Sequence, residues 1–278
     1  MAAHTALTPS NDTPKPLAYA MGILKEIFKA ATTPKFRYIA ERYTDTFLRG
    51  NPEEFQAEGK IPRILYACWT GNNPMSTDRL SALETLKKTV GLEVVLITPD
   101  NLHRYIVDGY PLHEGYPYLS LVHKSDYLRC YLMHHHGGGY SDIKYFGKSW
   151  VQAFEQLEKS ADKWIIGYRE IGKRGVAKTG GTLERDLKKN WHILIGNGSF
   201  ICRPQTPFTR EWYDELHSRM DYFLPELKKA PGDAFGTNEG YPIKWAYIMG
   251  YIFHPLCLKY NKRILFSRRL KFSPVKYR

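Results

Sequence analysis

A carboxylate and a guanidinium stand three residues apart in the stretch KSDYLRCYLMHHHGGGYSDIK, which runs from Lys124 to Lys144. They are Asp126 and Arg129. The glycines Gly137, Gly138 and Gly139 follow, then Tyr140 and a further acid, Asp142. On a helix, positions i and i+3 share a face. One side chain of such a pair accepts hydrogen bonds and the other donates them, so together they can hold a hydroxyl-rich ligand in one geometry. A surface ion pair within the helix is the plainer reading of two such residues. The glycines directly behind them, and an acid at the end of the next expected strand, favour a site.

Asp142 falls at a strand's carboxyl end, where parallel-sheet proteins place functional groups. The glycines end the helix and let helix and strand approach closely; the spacing of a phosphate-cradling Walker loop or a dinucleotide fingerprint is absent. Two residues on stands Lys144. It is either an outward-pointing strand residue or a cation able to neutralise a diphosphate. Hard divalent cations take several oxygen ligands, so a lysine here weakens the case for a metal. The triplet His134-His135-His136 looks like a metal cluster, but consecutive helical residues point around the axis. Their positive character suits a helix C-terminus instead.

The elements that must position these groups follow from pattern. Helices are expected over 17–31, with Leu17, Met21, Leu24 and Phe28 at helical spacing, and over 36–48. The first strand is expected at Ile61–Cys68, then a helix capped by Ser76 to about Val90, and a buried strand at Leu92–Ile97. That order argues for parallel strands with right-handed crossovers. A short helix should run from Asp100 through Ile106 and a long one from about Ser120 to His136. Further strands are read at Tyr140–Phe146, Lys163–Tyr168 and Ile193–Cys202. Helices are read at Val151–Lys159 and Thr206–Lys228, and an apolar, strand-like run at Trp245–Phe253. Gly/Pro-rich turns cover 231–242, with Asp233, Asn238 and Glu239 as weaker candidates for a ligand-side loop. The fold class is α/β: a Rossmann-type, mostly parallel sheet flanked by helices, with N-terminal helices. Residues 1–16 read as a mobile leader, 17–258 as a single domain and 259–278 as a basic tail.

With 278 residues and 43% hydrophobic content the chain can bury a sizeable core. The net charge is +12, and eight Lys/Arg without one Asp or Glu lie from Lys259 onward. Such a tail is either solvated or a docking element for an anionic membrane surface. No nucleic-acid motif accompanies it, and no nucleic-acid partner is expected. The cysteines Cys68, Cys130, Cys202 and Cys257 are scattered, which suggests a reducing compartment. No apolar run is long enough to span a bilayer. The start MAAHTALTPSNDTPKP lacks the charged onset and apolar core of a signal peptide. A cytoplasmic protein, peripheral at a membrane at most, is expected.

The run GGGYSDIK resembles the GG-x-Y-x-D-x-D core of the Asp-x-Asp sugar-transferring glycosyltransferases, family 32 and the related capsular polysaccharide synthesis proteins. The preceding SDYLR is similar to their S-D-x-x-R. IPRILYACWTG, from Ile61, is similar to their I-P-K-x-I-x-x-x-W-x-G opening. The likeness is good over 61–146 and weaker beyond. It implies a GT-A fold and transfer of a hexose or pentose from a nucleoside diphosphate sugar, UDP-linked by preference, to a hydroxyl of a glycan or glycoconjugate in polysaccharide biosynthesis. Anomeric configuration would be retained. By position, Trp69 would stack on the base, with Thr70 beside it. Asp126 and Arg129 would hold the donor sugar, and Tyr140, Asp142, Lys144 and Asn197 would complete the donor site. The resemblance implies a divalent cation, Mn²⁺ or Mg²⁺, on Asp142 with a late histidine, His254. Lys144, standing where the second Asp belongs, puts that cation in doubt. A non-catalytic nucleotide-sugar or glycan binder on a decayed transferase scaffold is the alternative.

Overall fold

The computed structural model describes residues 36–56 and 60–273. The expected helix over 17–31 and the leader 1–16 lie outside them. The described residues from Tyr38 onward form one compact unit. Its regular elements, in order, are β1 (Ile64–Cys68), α1 (Thr77–Thr89), β2 (Glu93–Ile97), α2 (Leu121–His135), β3 (Gly138–Ser141) and α3 (Val151–Glu158). Then come β4 (Ile165–Arg169), α4 (Gly181–Lys189), β5 (Ile195–Cys202), α5 (Pro207–Lys229), α6 (Gly250–Lys259) and β6 (Ile264–Phe266). Short 3₁₀ turns fill several of the connections.

The strands form one mixed sheet in the order β2-β1-β3-β5-β4-β6. β1 pairs in parallel with β2 and β3, and β4 in parallel with β6. β5 runs antiparallel to both of its neighbours, β3 and β4. Five strands therefore point one way and β5 the other. The α/β class with a mostly parallel sheet and flanking helices is as the pattern predicts. The consequence for chemistry is direct: the carboxyl ends of β1 and β3 share an edge with the beginning of β5.

Helix starts are set by side-chain caps, at Ser76 as expected and at Ser120 and Thr206 as well. Each hydroxyl accepts the backbone N–H three residues on, from Arg79, His123 and Thr209 respectively. The end of α2 is set by Gly137 and Gly138, at φ +68° and +86°. A β-carbon on Gly138 would sit 2.8 Å from Ile64 O and 3.0 Å from Pro62 O. Only glycine allows the chain to leave α2 with this backbone and enter the sheet against β1.

One layer of core lies under α1 and α3, where Leu83, Leu86, Trp150, Phe154 and Leu157 pack on Leu65, Ala67, Ile166 and Ile201. An aromatic group involving β5, α5 and α6 is built from Phe200, Phe208, Trp212 and Phe253, with Tyr140 stacked on Phe200.

Several expectations change. Residues 36–48 form no α-helix but a single 3₁₀ turn at Ala40–Tyr43, held by Tyr43 OH donating to Asp186 Oδ2 at 2.8 Å. Asp100–Ile106 likewise shrinks to a 3₁₀ turn at Leu102–Tyr105. The strand read at Tyr140–Phe146 starts earlier and stops at Ser141. Past Asp142 the chain leaves the ladder, and the Ile143 carbonyl is taken by Arg79 Nη1 at 2.7 Å. The strand-like run at 245–253 is a turn followed by α6, because a short apolar run carries no period that separates helix from strand. The unanticipated α4 hides in a charged stretch, with Leu183 and Leu187 buried one turn apart.

The basic C-terminal segment is not a solvated tail as far as Ser273. β6 adds to β4, Leu270 is buried, and Ser273 N donates to Tyr145 O at 2.8 Å. Among the described residues no helix is long and apolar enough to cross a membrane.

Candidate active site at the β1–β3 edge

Helix α2 supplies two of the groups. Asp126 and Arg129, three residues apart, share a face as expected, but that face is turned inward: both side chains are more than nine-tenths buried. Arg129 Nη2 lies 3.0 Å from Asp126 Oδ1 and 3.3 Å from Asp142 Oδ1. Its other terminal nitrogen, Nη1, donates to Asn197 O at 2.9 Å, and the guanidinium stacks on the Tyr140 ring at 4.5 Å. The surface ion pair that two such residues could have made is thus a buried three-residue group.

Asp142 stands one residue past β3, where Asp142 N donates to Gly198 O at 2.9 Å. Its carboxylate accepts from Tyr140 OH at 3.1 Å on Oδ1 and faces Lys144 Nζ at 2.9 Å on Oδ2. Tyr140 OH is itself hydrogen-bonded to Ser125 Oγ at 3.1 Å. With 27% of its side chain exposed, Asp142 is the member of the group that opens to solvent, against 8% for both Asp126 and Lys144. Lys144 Nζ also lies 3.9 Å from the centre of the Phe272 ring. Phe272 was hidden in the basic tail, and Arg79, which holds the loop behind Asp142, carried no signal of its role.

The electrostatics separate the two acids. Burial pushes the Asp126 carboxyl up to about 7; Arg129 opposes the rise and Asp142 adds to it. Burial acts on Asp142 in the same direction, but Arg129, Lys144 and the hydrogen bonds from Lys144 and Tyr140 outweigh it and hold it below the ordinary carboxylate range. Asp142 is thereby the stronger acid of the two and Asp126 the weaker.

Asn197 arrives by topology. Because β5 is antiparallel, Ser199 pairs with Ser141 and the start of β5 faces the exit of β3. The Asn197 Oδ1 atom is buried with no hydrogen-bond partner. A β-carbon on the neighbouring Gly198 would sit 3.0 Å from Phe272, 3.3 Å from Asp142 Oδ2 and 3.5 Å from Lys144 Nζ, so glycine admits those side chains to the strand.

Trp69 and Thr70 leave the end of β1. Tyr66 pairs with Tyr140, so the same register carried forward brings Cys68 level with Asp142. Burial raises the Cys68 thiol to about 12, with Arg129 lowering it and Asp142 raising it further. The Trp69 indole N–H donates to Asn73 O at 2.8 Å. The Thr70 hydroxyl donates to Leu121 O at 2.6 Å and so ties the loop to the first turn of α2.

His254 does not follow a strand and does not join Asp142. It lies inside α6, where Nδ1 accepts from Ala177 N at 3.1 Å and Nε2 stands 3.5 Å from Glu170 Oε2. Among the described residues no group of three or more His, Cys, Asp or Glu could hold a metal ion. The donors around Asp142 are cations and a phenol, a set that does not fit a divalent metal. The histidine triplet diverges as expected: His134 meets Thr209 Oγ1 at 3.3 Å and His136 meets Tyr105 O at 2.8 Å. Asp233 closes its own loop by accepting from Phe235 N and Thr237 N at 2.9 and 3.1 Å.

No family model matches the chain, and no curated protein matches it. Among solved structures it is similar to one described as "PaToxG Glycosyltransferase", with 14% identity over 62% of this chain and a TM-score of 0.38. The match spans 65% of that chain.

Proposed function

We propose that this chain is a glycosyltransferase that moves a sugar from a nucleoside diphosphate sugar, UDP-linked by preference, to a hydroxyl of a glycan or glycoconjugate. The observation that carries the reading is the convergence of Asp126, Arg129, Asp142 and Lys144 at the carboxyl ends of β1 and β3. These residues were singled out from motifs that resemble such enzymes; the i,i+3 spacing accounts for the Asp126–Arg129 pair but not for its meeting Asp142 and Lys144.

Each group then has a task. Asp142, ionised and partly open, accepts hydrogen bonds from hydroxyls of the donor. Arg129, clamped between two acids and stacked on Tyr140, keeps that carboxylate oriented. Asn197 Oδ1, buried and unpartnered, accepts from one further donor hydroxyl. The half-buried Trp69, one residue past β1, offers its indole to the base.

As the bond to the anomeric carbon breaks, the diphosphate gains negative charge that must be stabilised. The Lys144 ammonium supplies that stabilisation without a divalent cation. The reacting hydroxyl attacks on the face the diphosphate leaves, and the departing phosphate takes its proton, so configuration is retained and no separate base is needed. The Asp142–Lys144 ion pair also suits a second reading, a nucleotide-sugar or glycan binder that has lost turnover.

Incubating the protein with a panel of UDP-, GDP- and dTDP-sugars, with Mn²⁺ or with EDTA, tests both. Release of nucleoside diphosphate from one donor, abolished in Asp142→Ala, is the expected result. Tight donor binding without turnover would select the binder, and no binding at all would refute the donor site.

A further inference from the structure

Residues 231–249 contain no helix or strand, yet the segment is held against the site along its length. Near its start, Gly232 N donates to Tyr118 O at 2.9 Å, and Asp233 O and Ala234 O accept from Leu121 N and Val122 N at 3.3 Å each. Those N–H groups belong to the first turn of α2 and have no partner within the helix. Farther on, the Tyr241 hydroxyl accepts from Ser120 N at 3.2 Å and lies 2.8 Å from His123 Nδ1, with the two rings stacked. The other imidazole nitrogen, His123 Nε2, is 3.2 Å from Trp245 O. His123 is fully buried and three residues ahead of Asp126, on the same face of α2.

At the far end the segment meets the opposite side of the site. A β-carbon on Gly250, the first residue of α6, would lie 3.0 Å from Asn197 Nδ2. Residues 231–250 therefore run from the first turn of α2, one turn before Asp126, to Asn197. On this anchored segment two large aromatic side chains face solvent, Trp245 at 64% and Phe235 at 62% exposure. A backbone pinned through a buried histidine fixes the point from which the indole projects, so that only the side chain's own rotamer remains to be ordered. The segment carries Asp233 and Glu239 against the single cation Lys244, so it offers no basic patch to an anionic membrane or a nucleic acid. A carbohydrate suits it: the C–H face of a sugar ring packs on an indole while its hydroxyls stay in water or reach polar neighbours.

We propose that residues 231–249 form the acceptor subsite, with Trp245 as the platform on which a ring of the acceptor glycan stacks. This rests on the glycosyltransferase reading.

The test uses the full chain and four soluble probes, malto-, cello-, chito- and xylohexaose, with binding read by saturation-transfer NMR and titration. Trp245→Ala should melt at the wild-type temperature, since the side chain is exposed, and should bind the preferred oligosaccharide about tenfold more weakly. Trp245→Phe should keep most of the affinity. Equal binding by wild type and Trp245→Ala, or binding of none of the four by the wild type, would overturn the subsite. Donor turnover by the wild type is measured in parallel. If turnover is intact while oligosaccharide binding is absent or insensitive to Trp245, the subsite alone is wrong. If no donor is bound or turned over, the transferase reading itself fails.

Discussion

Lys144 Nζ stands 2.9 Å from Asp142 Oδ2. A carboxylate two residues after Asp142 would invite a shared divalent cation; an ammonium there supplies the positive charge itself and repels a second one. The Asp142 carboxylate thereby has a fixed counter-charge within the chain.

Donor turnover should consequently survive EDTA. Replacing the cation by an acid, Lys144→Asp, should remove metal-free turnover and create a site that binds Mn²⁺, read by electron paramagnetic resonance. Wild-type turnover that vanishes with EDTA and returns with Mn²⁺ would contradict the role given to Lys144.

Arg129 holds two carboxylates at once, through one nitrogen 3.0 Å from Asp126 and 3.3 Å from Asp142. Removing it with Arg129→Met leaves acids facing each other in a buried setting. Loss of one member of a buried ion group costs roughly 3–5 kcal/mol. Urea denaturation should show a fall of that order, and Asp126→Asn in the same background should recover part of it. An Arg129→Met protein as stable as the wild type would mean that the two carboxylates are not compensated by Arg129.

Asp126 gives a pH signature. Its folded value of about 7 lies above the ordinary carboxyl range, so between about pH 4 and 7 the native state binds a proton that the unfolded chain does not. The contribution of this group to stability is present at low pH and is lost as pH rises toward 7. The buried imidazoles of His134 and His217, each pushed down to about 4 by burial, have the opposite slope below about pH 6.5. They are common to wild type and variant and cancel in the difference. Asp126→Asn should gain stability relative to wild type as pH rises from 5 to 8, measured by thermal melts. A difference that does not change with pH would place the Asp126 carboxyl in the ordinary range.

Gly138→Ala tests the turn that delivers β3. The left-handed backbone alone costs about 1–2 kcal/mol for a residue with a side chain, and the contact 2.8 Å from Ile64 O adds to it. Equilibrium unfolding should show a loss above 2 kcal/mol, about twice the conformational cost of such a residue at its lower bound. An unchanged midpoint would mean the turn relaxes freely.

What the sequence determined by itself is local. Ser76 announces its helix because a cap acts over three residues. Gly137 and Gly138 announce the end of α2 because residues with a side chain rarely take that backbone. The i,i+3 spacing put Asp126 and Arg129 on one face, and the order of motifs placed Asp142 at a strand end. Which way that face turned was not local. It is buried because α2 packs between the sheet and α5, and the helix carries polar residues on more than one side.

Only the tertiary structure decided the company those residues keep. Asn197 reaches Arg129 because β5 runs antiparallel, a choice made by strand pairing across the sheet and invisible in a stretch of eight residues. Phe272 meets Lys144 because β6 adds to β4 and carries the chain back to the site, so a segment that reads as charged tail becomes a wall. His254 turns away to Glu170 because its apolar run forms a helix and not a strand. Long-range pairing depends on surfaces contributed by distant segments, and residue type and spacing along the chain do not encode which of those surfaces will meet.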